Sequence, residues 1–227
     1  MKFTVDTVSK EGCRLSFISK IGHHEDTIIE TPSCMMYTRG GSVPHLTLDM
    51  VQKIPHQSGI VQLTVPSFIE YRQTLDTFQD GLAKFAGLPA KGVTFLSIQD
   101  PCTTVPSGYN GKDAVSVWAP SGRVKLNATS FMSFERSSRP DIFQALCDGD
   151  TPEGCSKKRI CKAVDRTLAF LDECLEQNIK TEQDSDPAAI LGVIEGGDLL
   201  SERLRSAKET AKRPVSGFIL DCFGESF

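Results

Sequence analysis

Several short apolar runs of the 227-residue sequence end in acids, glycines or a thiol: Arg39-Gly40-Gly41, Gln99-Asp100, Cys147-Asp148 with Asp150, Glu195-Gly196-Gly197, and Asp221. A carboxylate at such a place can act as a general acid, a base or a nucleophile. A glycine there accepts φ > 0 and lets the backbone approach a ligand closely. The same residue types also suit tight turns and helix caps, so each group has an ordinary structural reading beside the chemical one. Asp198, just before "LLSERL", reads as a helix cap, which leaves Glu195 as the more chemical acid of "ILGVIEGGD". The candidate site residues are therefore Asp100, Asp148, Glu195 and Gly196.

Other residues carry less. His23 and His24 are adjacent and cannot share one face of a strand or helix, and zinc would need further ligands at suitable spacing. The eight cysteines include no CxxC pair, and Cys147, Cys155 and Cys161 are too irregularly spaced for a zinc knuckle. No metal site is expected within the chain. Lys157-Lys158-Arg159 and Arg203, Arg205, Lys208, Lys212 and Arg213 could contact phosphates, although nearby acids such as Glu202 and Glu209 suit a solvated, ion-paired face. Trp118, the only tryptophan, suits packing better than base stacking. There is no Ser-His-Asp set, P-loop or HExxH motif.

These residues need elements to hold them. "KFTVDTV" and "CRLSFIS" alternate apolar and polar residues about "SKEG", which predicts an amino-terminal β unit over 1–30, closed by a turn at "IGHHED". Six apolar strands follow, starting near residues 33, 59, 92, 141, 189 and 216, with helical patterns between them. Phe68, Tyr71, Leu75, Phe78 and Leu82 fall on one helical face, as do Ile160, Val164, Leu168, Leu171 and Leu175, and again Leu200, Leu204, Ala207 and Ala211. Thr47 and Ser156 sit where helix caps are expected. "DAVSVWA" and "GRVKLNA", joined by "PSG", read as an antiparallel hairpin inserted into the alternation. Polar "KTEQDSD" at 180–186 reads as a surface loop. Strands alternating with helices imply parallel βαβ units, either doubly wound or barrel-like. The absence of GxGxxG after the first strand weakens the dinucleotide-binding version.

Composition sets outer limits. At 39% hydrophobic and 24% charged residues, the chain can build one sizeable core. A net charge of -4 gives no general basic excess for nucleic acid, so any such contact must come from a local patch. The opening "MKFTVDTVSK" lacks the apolar core of a signal peptide, and no apolar run approaches the ~20 residues of a membrane span. Reduced cysteines in a cytoplasmic protein are the expectation.

The assembled pattern resembles the tRNA-guanine transglycosylases, and within them the accessory, non-catalytic branch. The likeness rests on "ETPSCMMYTRGGSVPHLT" at 30–47, "VSVW" and "GRV" in the inserted hairpin, "VDRTLAFLDECL" at 164–175, "GVIEGGD", and "ERLRSAKETAKRPVSGF" at 202–218. It spans residues 1–221. The resemblance implies a TIM-type (β/α)8 barrel over 31–221, here incomplete with about six β/α strands, and an atypical tail at 222–227. It implies a heterodimer with a catalytic subunit, tRNA held through that complex, and support for exchange of guanine for queuine at the wobble position of tRNAs with GUN anticodons. It also suggests a peripheral place on the mitochondrial outer membrane.

Aligned with the catalytic pattern, the chemistry is altered position by position. Where the family's third strand carries an acid/base aspartate, this chain has Ile98, with Asp100 two residues later and Pro101 in place of a flexible glycine. Cys147 stands at the base-reading carboxylate of Phe-Asp-Glu. Gly192-Val193-Ile194-Glu195-Gly196 replaces Gly-x-Gln-Gln-Gly, and Asp221-Cys222 replaces a two-glycine motif. The family's nucleophilic aspartate and Cys/His zinc site fall beyond residue 227 in this comparison, so no cofactor is expected within the chain. The expected role is that of a non-catalytic subunit with remnant strand-end acids. The alternatives are a truncated inert or regulatory fragment, and an enzyme in its own right.

Overall fold

A computed structural model describes residues 1–22, 24, 26–55, 57, 59–89, 92–179 and 188–221. His23, the loop at 180–186 and the tail at 222–227 lie outside the described residues. In chain order the elements are β1 (Lys2–Val8), β2 (Arg14–Ser19), β3 (Ile29–Thr31), β4 (Met36–Tyr37), α1 (Leu48–Val51), β5 (Ile60–Thr64), α2 (Val65–Phe68), α3 (Arg72–Phe78), α4 (Gly81–Phe85) and β6 (Val93–Ser97). They continue with β7 (Val115–Ala119), β8 (Gly122–Leu126), α5 (Ala128–Ser138), β9 (Ile142–Gln144), α6 (Lys157–Ile179), β10 (Ala189–Ile194), α7 (Leu200–Thr210) and β11 (Gly217–Leu220).

Strands β4, β5, β6, β9, β10 and β11 form one sheet in unbroken chain order, and every neighbouring pair is parallel. A doubly wound sheet would reverse its order at a switch point. This one winds in a single sense, as a barrel does, but among the described residues it does not close: β4 and β11 are its two edges. The expected α/β alternation of about six strands is present, and what the described residues build is an open, parallel α/β sheet that does not by itself show a TIM-type barrel. The other two expected units are present. β1, β2 and β3 make an antiparallel sheet, and β7 and β8 make the inserted hairpin.

Strand alternation sorts side chains between two apolar layers. Leu63, Leu96, Phe143 and Ile190 point toward the helices and pack with Phe131 and Phe134 of α5 and Phe170, Leu171 and Leu175 of α6. Ile60, Val93, Phe95, Ile142 and Ala189 point the other way, where Ile21 and Ile29 of the amino-terminal unit plug the layer. Most of these are the first residues of their strands, so the plug sits at the amino-terminal end of the sheet. A buried polar clasp fixes it there. Asp141 Oδ2 accepts from the Thr94 amide at 2.7 Å and the Thr94 hydroxyl at 2.8 Å, and Oδ1 lies 3.3 Å from His24 Nε2.

The α6 stripe is buried throughout, and Ser156 caps the helix by accepting from the Arg159 amide at 3.3 Å. Three other expectations fail, each for a local reason. The continuous helix expected over 66–87 is broken into α2, a 3-10 turn, α3 and α4, because Gln79 adopts φ +60 and stops α3. Phe68, Leu75 and Leu82 still reach the core, while Tyr71 and Phe78 stay outside against Phe85, with ring centroids at 5.9 and 5.7 Å. On α7 the apolar stripe faces out: Leu200 and Leu204 are 68% and 51% exposed, and the buried face is Ser206 and Thr210. Close helix approach explains this, since a Cβ at Gly192 would sit 2.5 Å from Thr210 Cγ2. Small residues, not leucines, fit that gap. Finally, Asp198 does not cap α7, whose N-cap is Leu199, whereas Thr47 is the N-cap of α1 as expected, its hydroxyl donating to Asp49 rather than making a capping bond.

Two stability predictions follow from buried acids. Glu135, buried on α5, has its carboxyl pushed up to about 7 by burial, against a smaller lowering by Arg136. A raised folded value means the fold favours the protonated acid, so its stability is fully present below the unfolded value near 4.5 and lost as pH rises through about 7. Glu135→Gln should therefore gain up to about 3 kcal/mol over wild type at pH 8 and almost nothing near pH 4 in chemical denaturation. Asp141→Ala strips a buried amide of its acceptor and should cost about 3 kcal/mol by the same measurement.

Candidate functional site

The expected ring of strand-end residues exists, but it divides into three separate groups. At the first edge, Asp100 accepts from the Tyr37 hydroxyl at 3.0 and 3.1 Å, the Cys102 amide at 2.9 Å and the Thr103 hydroxyl at 3.0 Å, and Arg39 stands 3.6 Å away. Burial pushes the Asp100 carboxyl up, but these donors and the arginine outweigh it and hold the group below its ordinary value. Burial, and then the contact with Asp100, raise the Tyr37 phenol. Asp100 is thus a held anion joining the end of β4 to the loop after β6.

Asp148 is fully buried and clamped. Arg159 meets both its oxygens, at 2.9 and 2.6 Å, Arg166 donates at 2.9 Å, and Asn110 Nδ2 donates at 2.8 Å. Burial alone would raise this carboxyl; the hydrogen bonds from Arg159, Asn110 and Arg166 hold it low. Asp150 extends the group, accepting from Ser107 at 2.6 Å and the Gly108 amide at 2.7 Å, with Arg159 at 3.5 Å. Asn110 Oδ1 accepts from the Ser116 amide at 2.9 Å, so the cluster ties α6 to the inserted hairpin.

The third group, the axial group, joins the ends of three neighbouring strands. Ligand atoms of Cys147, Glu195 and Asp221, from the ends of β9, β10 and β11, lie within 4.8 Å of one another. Cys147 and Glu195 are buried and Asp221 is half-buried. Gly149 leaves them space, since a Cβ there would fall 2.5 Å from Asp221 Oδ2 and 3.5 Å from Glu195 Oε1. Gln144 Nε2 donates to Cys147 Sγ at 3.3 Å. Three donors of mixed type are brought together here, which the expectation of no metal ligands did not foresee. One thiol and two carboxylates do not make a Cys/His zinc set, and no such set is assembled among the described residues. Gly196 has a packing reason for its identity. It holds φ +137, and a Cβ would lie 2.5 Å from the Arg203 amide nitrogen. Arg203 in turn donates to the Gly197 carbonyl at 2.7 Å and the Asp221 carbonyl at 2.9 Å, stitching the ends of β10 and β11.

Sequence reading placed Asp100, Asp148, Glu195 and Gly196 correctly at strand ends but could not say which way each side chain turns. Adjacent residues 147 and 148 face opposite ways, so the thiol joins the axial group and the acid joins the arginines. Tyr37, Asn110 and Arg166 were missed, because nothing in their neighbourhood marks them as partners of acids 18 to 63 residues away. Arg159, read with Lys157 and Lys158 as a possible phosphate contact, is committed to Asp148. Arg205, Lys212 and Arg213 pair with Asp165 and Glu202, with Glu209, and with Asp172, as an ion-paired face should. Trp118 packs edge-on against Tyr109 at 5.3 Å, as expected of a packing residue. The seven described cysteines are free thiols.

The fold and these strand ends define a class: an α/β protein with a singly wound parallel sheet and its polar residues at the carboxyl ends of the strands. Comparison with known proteins supplies the particular. The family model for queuine tRNA-ribosyltransferase matches residues 13–225, and the chain belongs to that family. It is 48% identical to the queuine tRNA-ribosyltransferase accessory subunit 2 of Xenopus tropicalis, over 98% of this chain and 54% of that protein. The human protein of the same name is 43% identical over 93% of this chain and 51% of its own length. The Trichoplax adhaerens protein of that name is 36% identical over 99% and 60%. The chain spans about half the length of most of the curated relatives it matches.

Truncation tests the structural reading of the acids. Asp148→Ala should cost about 3 kcal/mol, because it leaves two arginines facing a buried void. The Asp148 carboxyl sits below its ordinary value, so its contribution is fully present above the usual carboxylate range and is lost as pH falls from that range through the lower folded value. The gap between wild type and Asp148→Ala should therefore shrink in acid denaturation. Gly196→Ala should cost at least about 2 kcal/mol from the strained φ and the clash with α7.

Proposed function

We propose that this chain plays the accessory part in queuine tRNA-ribosyltransferase. It pairs with a catalytic subunit and helps hold tRNA while guanine is exchanged for queuine at the wobble position of GUN anticodons, and it performs no chemistry itself. The observation that carries this reading is the state of the strand-end acids. Base exchange at a nucleoside needs a carboxylate to attack C1′ and a second group to move protons. Here Asp148 is spent on two arginines and Asp100 on Tyr37, Thr103 and a backbone amide. Ile98, at the position that the resemblance gives to the acid/base aspartate, is buried in the main core. The names of the relatives point the same way.

On this reading the open sheet is the larger part of a (β/α)8 barrel, since its strands run in single-sense order. The partner surface is barrel surface, and tRNA is reached through the complex. The family's zinc belongs to a Cys/His set that the described residues do not assemble. Among the described residues no helix is long and apolar enough to cross a membrane, and the resemblance suggests a peripheral place on the mitochondrial outer face. That placement rests on the resemblance alone.

Guanine exchange into GUN-anticodon tRNA, measured for this chain, for the catalytic subunit, and for both together, tests the proposal. Activity should appear with the pair and be absent from this chain by itself; exchange by this chain alone would sink it. Asp100→Asn and Glu195→Gln, in otherwise intact complexes, should leave the exchange rate within about twofold, against the 10²–10⁴-fold that removal of a true acid/base costs.

A further inference from the structure

All seven residues of β1 are exposed, and among the described residues the strand pairs on one side only, with β2. Its free edge therefore presents unpaired backbone donors and acceptors. Phe3 lies opposite Ile18 and Val5 opposite Ser16, so Phe3 and Val5 share a face, and they are 54% and 43% exposed. The segment Lys2-Phe3-Thr4-Val5-Asp6 is its own complement. Laid antiparallel on a second copy with Thr4 at the centre, it sets Lys2 against Asp6, Phe3 against Val5 and Thr4 against Thr4. Moving the centre to Val5 sets Lys2 against Val8 and Phe3 against Thr7; moving it to Phe3 sets Lys2 against Thr4. Only the Thr4-centred register matches charge with charge and apolar with apolar.

We propose that β1 is a self-pairing edge: two copies of this chain join antiparallel along β1 about a dyad at Thr4, with Lys2 facing Asp6 twice and Phe3 facing Val5 twice. The two amino-terminal sheets become one six-stranded sheet. Opposite charges, apolar pairs and threonine pairs are the cross-strand combinations that stabilise such a ladder. The contact is isologous, so it closes at two copies and does not propagate. The register shift between Val5 and Thr7 places Asp6 at a bulge, which twists the strand beyond it away and keeps the contact short. This surface belongs to the unit that plugs the amino-terminal end of the large sheet, opposite the strand-end acids. It does not depend on the accessory-subunit reading.

Charge swaps at these exposed positions test it without threatening the fold, which circular dichroism checks for each variant. In sedimentation over a concentration series, Lys2→Glu and Asp6→Lys should each weaken self-association about thirtyfold, since each sets like charges opposed twice. An equimolar mixture of the two variants should restore the wild-type constant, because each swap then meets its complement. Under mild oxidation Thr4→Cys should cross-link into a dimer, its partners being about 5 Å apart across the dyad. Lys2→Cys should cross-link no more than wild type, its copies being offset about 14 Å along the strands. A wild-type chain that stays monomeric, a mixture that fails to recover, or equal cross-linking at positions 2 and 4 overturns the proposal.

Discussion

A carboxylate sealed from water must be matched by positive charge or it destabilises the fold, and Asp148 is the residue that imposes this constraint here. Arg159 and Arg166 lie two turns apart on α6, Asn110 comes from the segment before the hairpin, and the Thr167 hydroxyl accepts from the Asp148 amide at 2.9 Å. One buried charge thereby fixes the seat of the longest helix, the approach of the inserted hairpin and the course of the loop after β9. That loop then sets Cys147 and Gly149 against Glu195 and Asp221. The geometry of the axial group is a consequence of where the neighbouring acid is held.

The arrangement separates two kinds of strand-end acid. Asp148 and Asp100 are anions stabilised by several donors each, which lowers their basicity and removes them from proton transfer near neutral pH. Glu195 shares an enclosed space with a thiol and a second carboxylate. The same backbone scaffold that presents reactive groups in a transglycosylase here presents groups whose partners are mostly structural. The strand ends here are held by packing and ion pairs that do not depend on substrate.

The sequence made the layered order legible where burial repeats along an element. The six strands, the α6 stripe and both hairpins follow from alternation and helical spacing, and they are where expected. The failures have a common form. Leu200 and Leu204 look like a core stripe, yet α7 must approach Gly192 closely, and only Ser206 and Thr210 fit there. Residues 147 and 148 look like one motif, yet they point apart. Asn110, Arg166 and Tyr37 carry no local sign of the distant acids they bind. Such choices depend on which neighbour is across the sheet, and spacing along one chain does not encode it.

The account turns on the claim that no residue of this chain attacks the nucleoside. Transglycosylation by a carboxylate nucleophile passes through a covalent protein–RNA intermediate, so the direct measurement is to trap it. Radiolabelled GUN-anticodon tRNA would be incubated with this chain and a catalytic subunit of different mass, quenched in denaturant and resolved by size. The account predicts label on the catalytic subunit alone. Label migrating with this chain would contradict it.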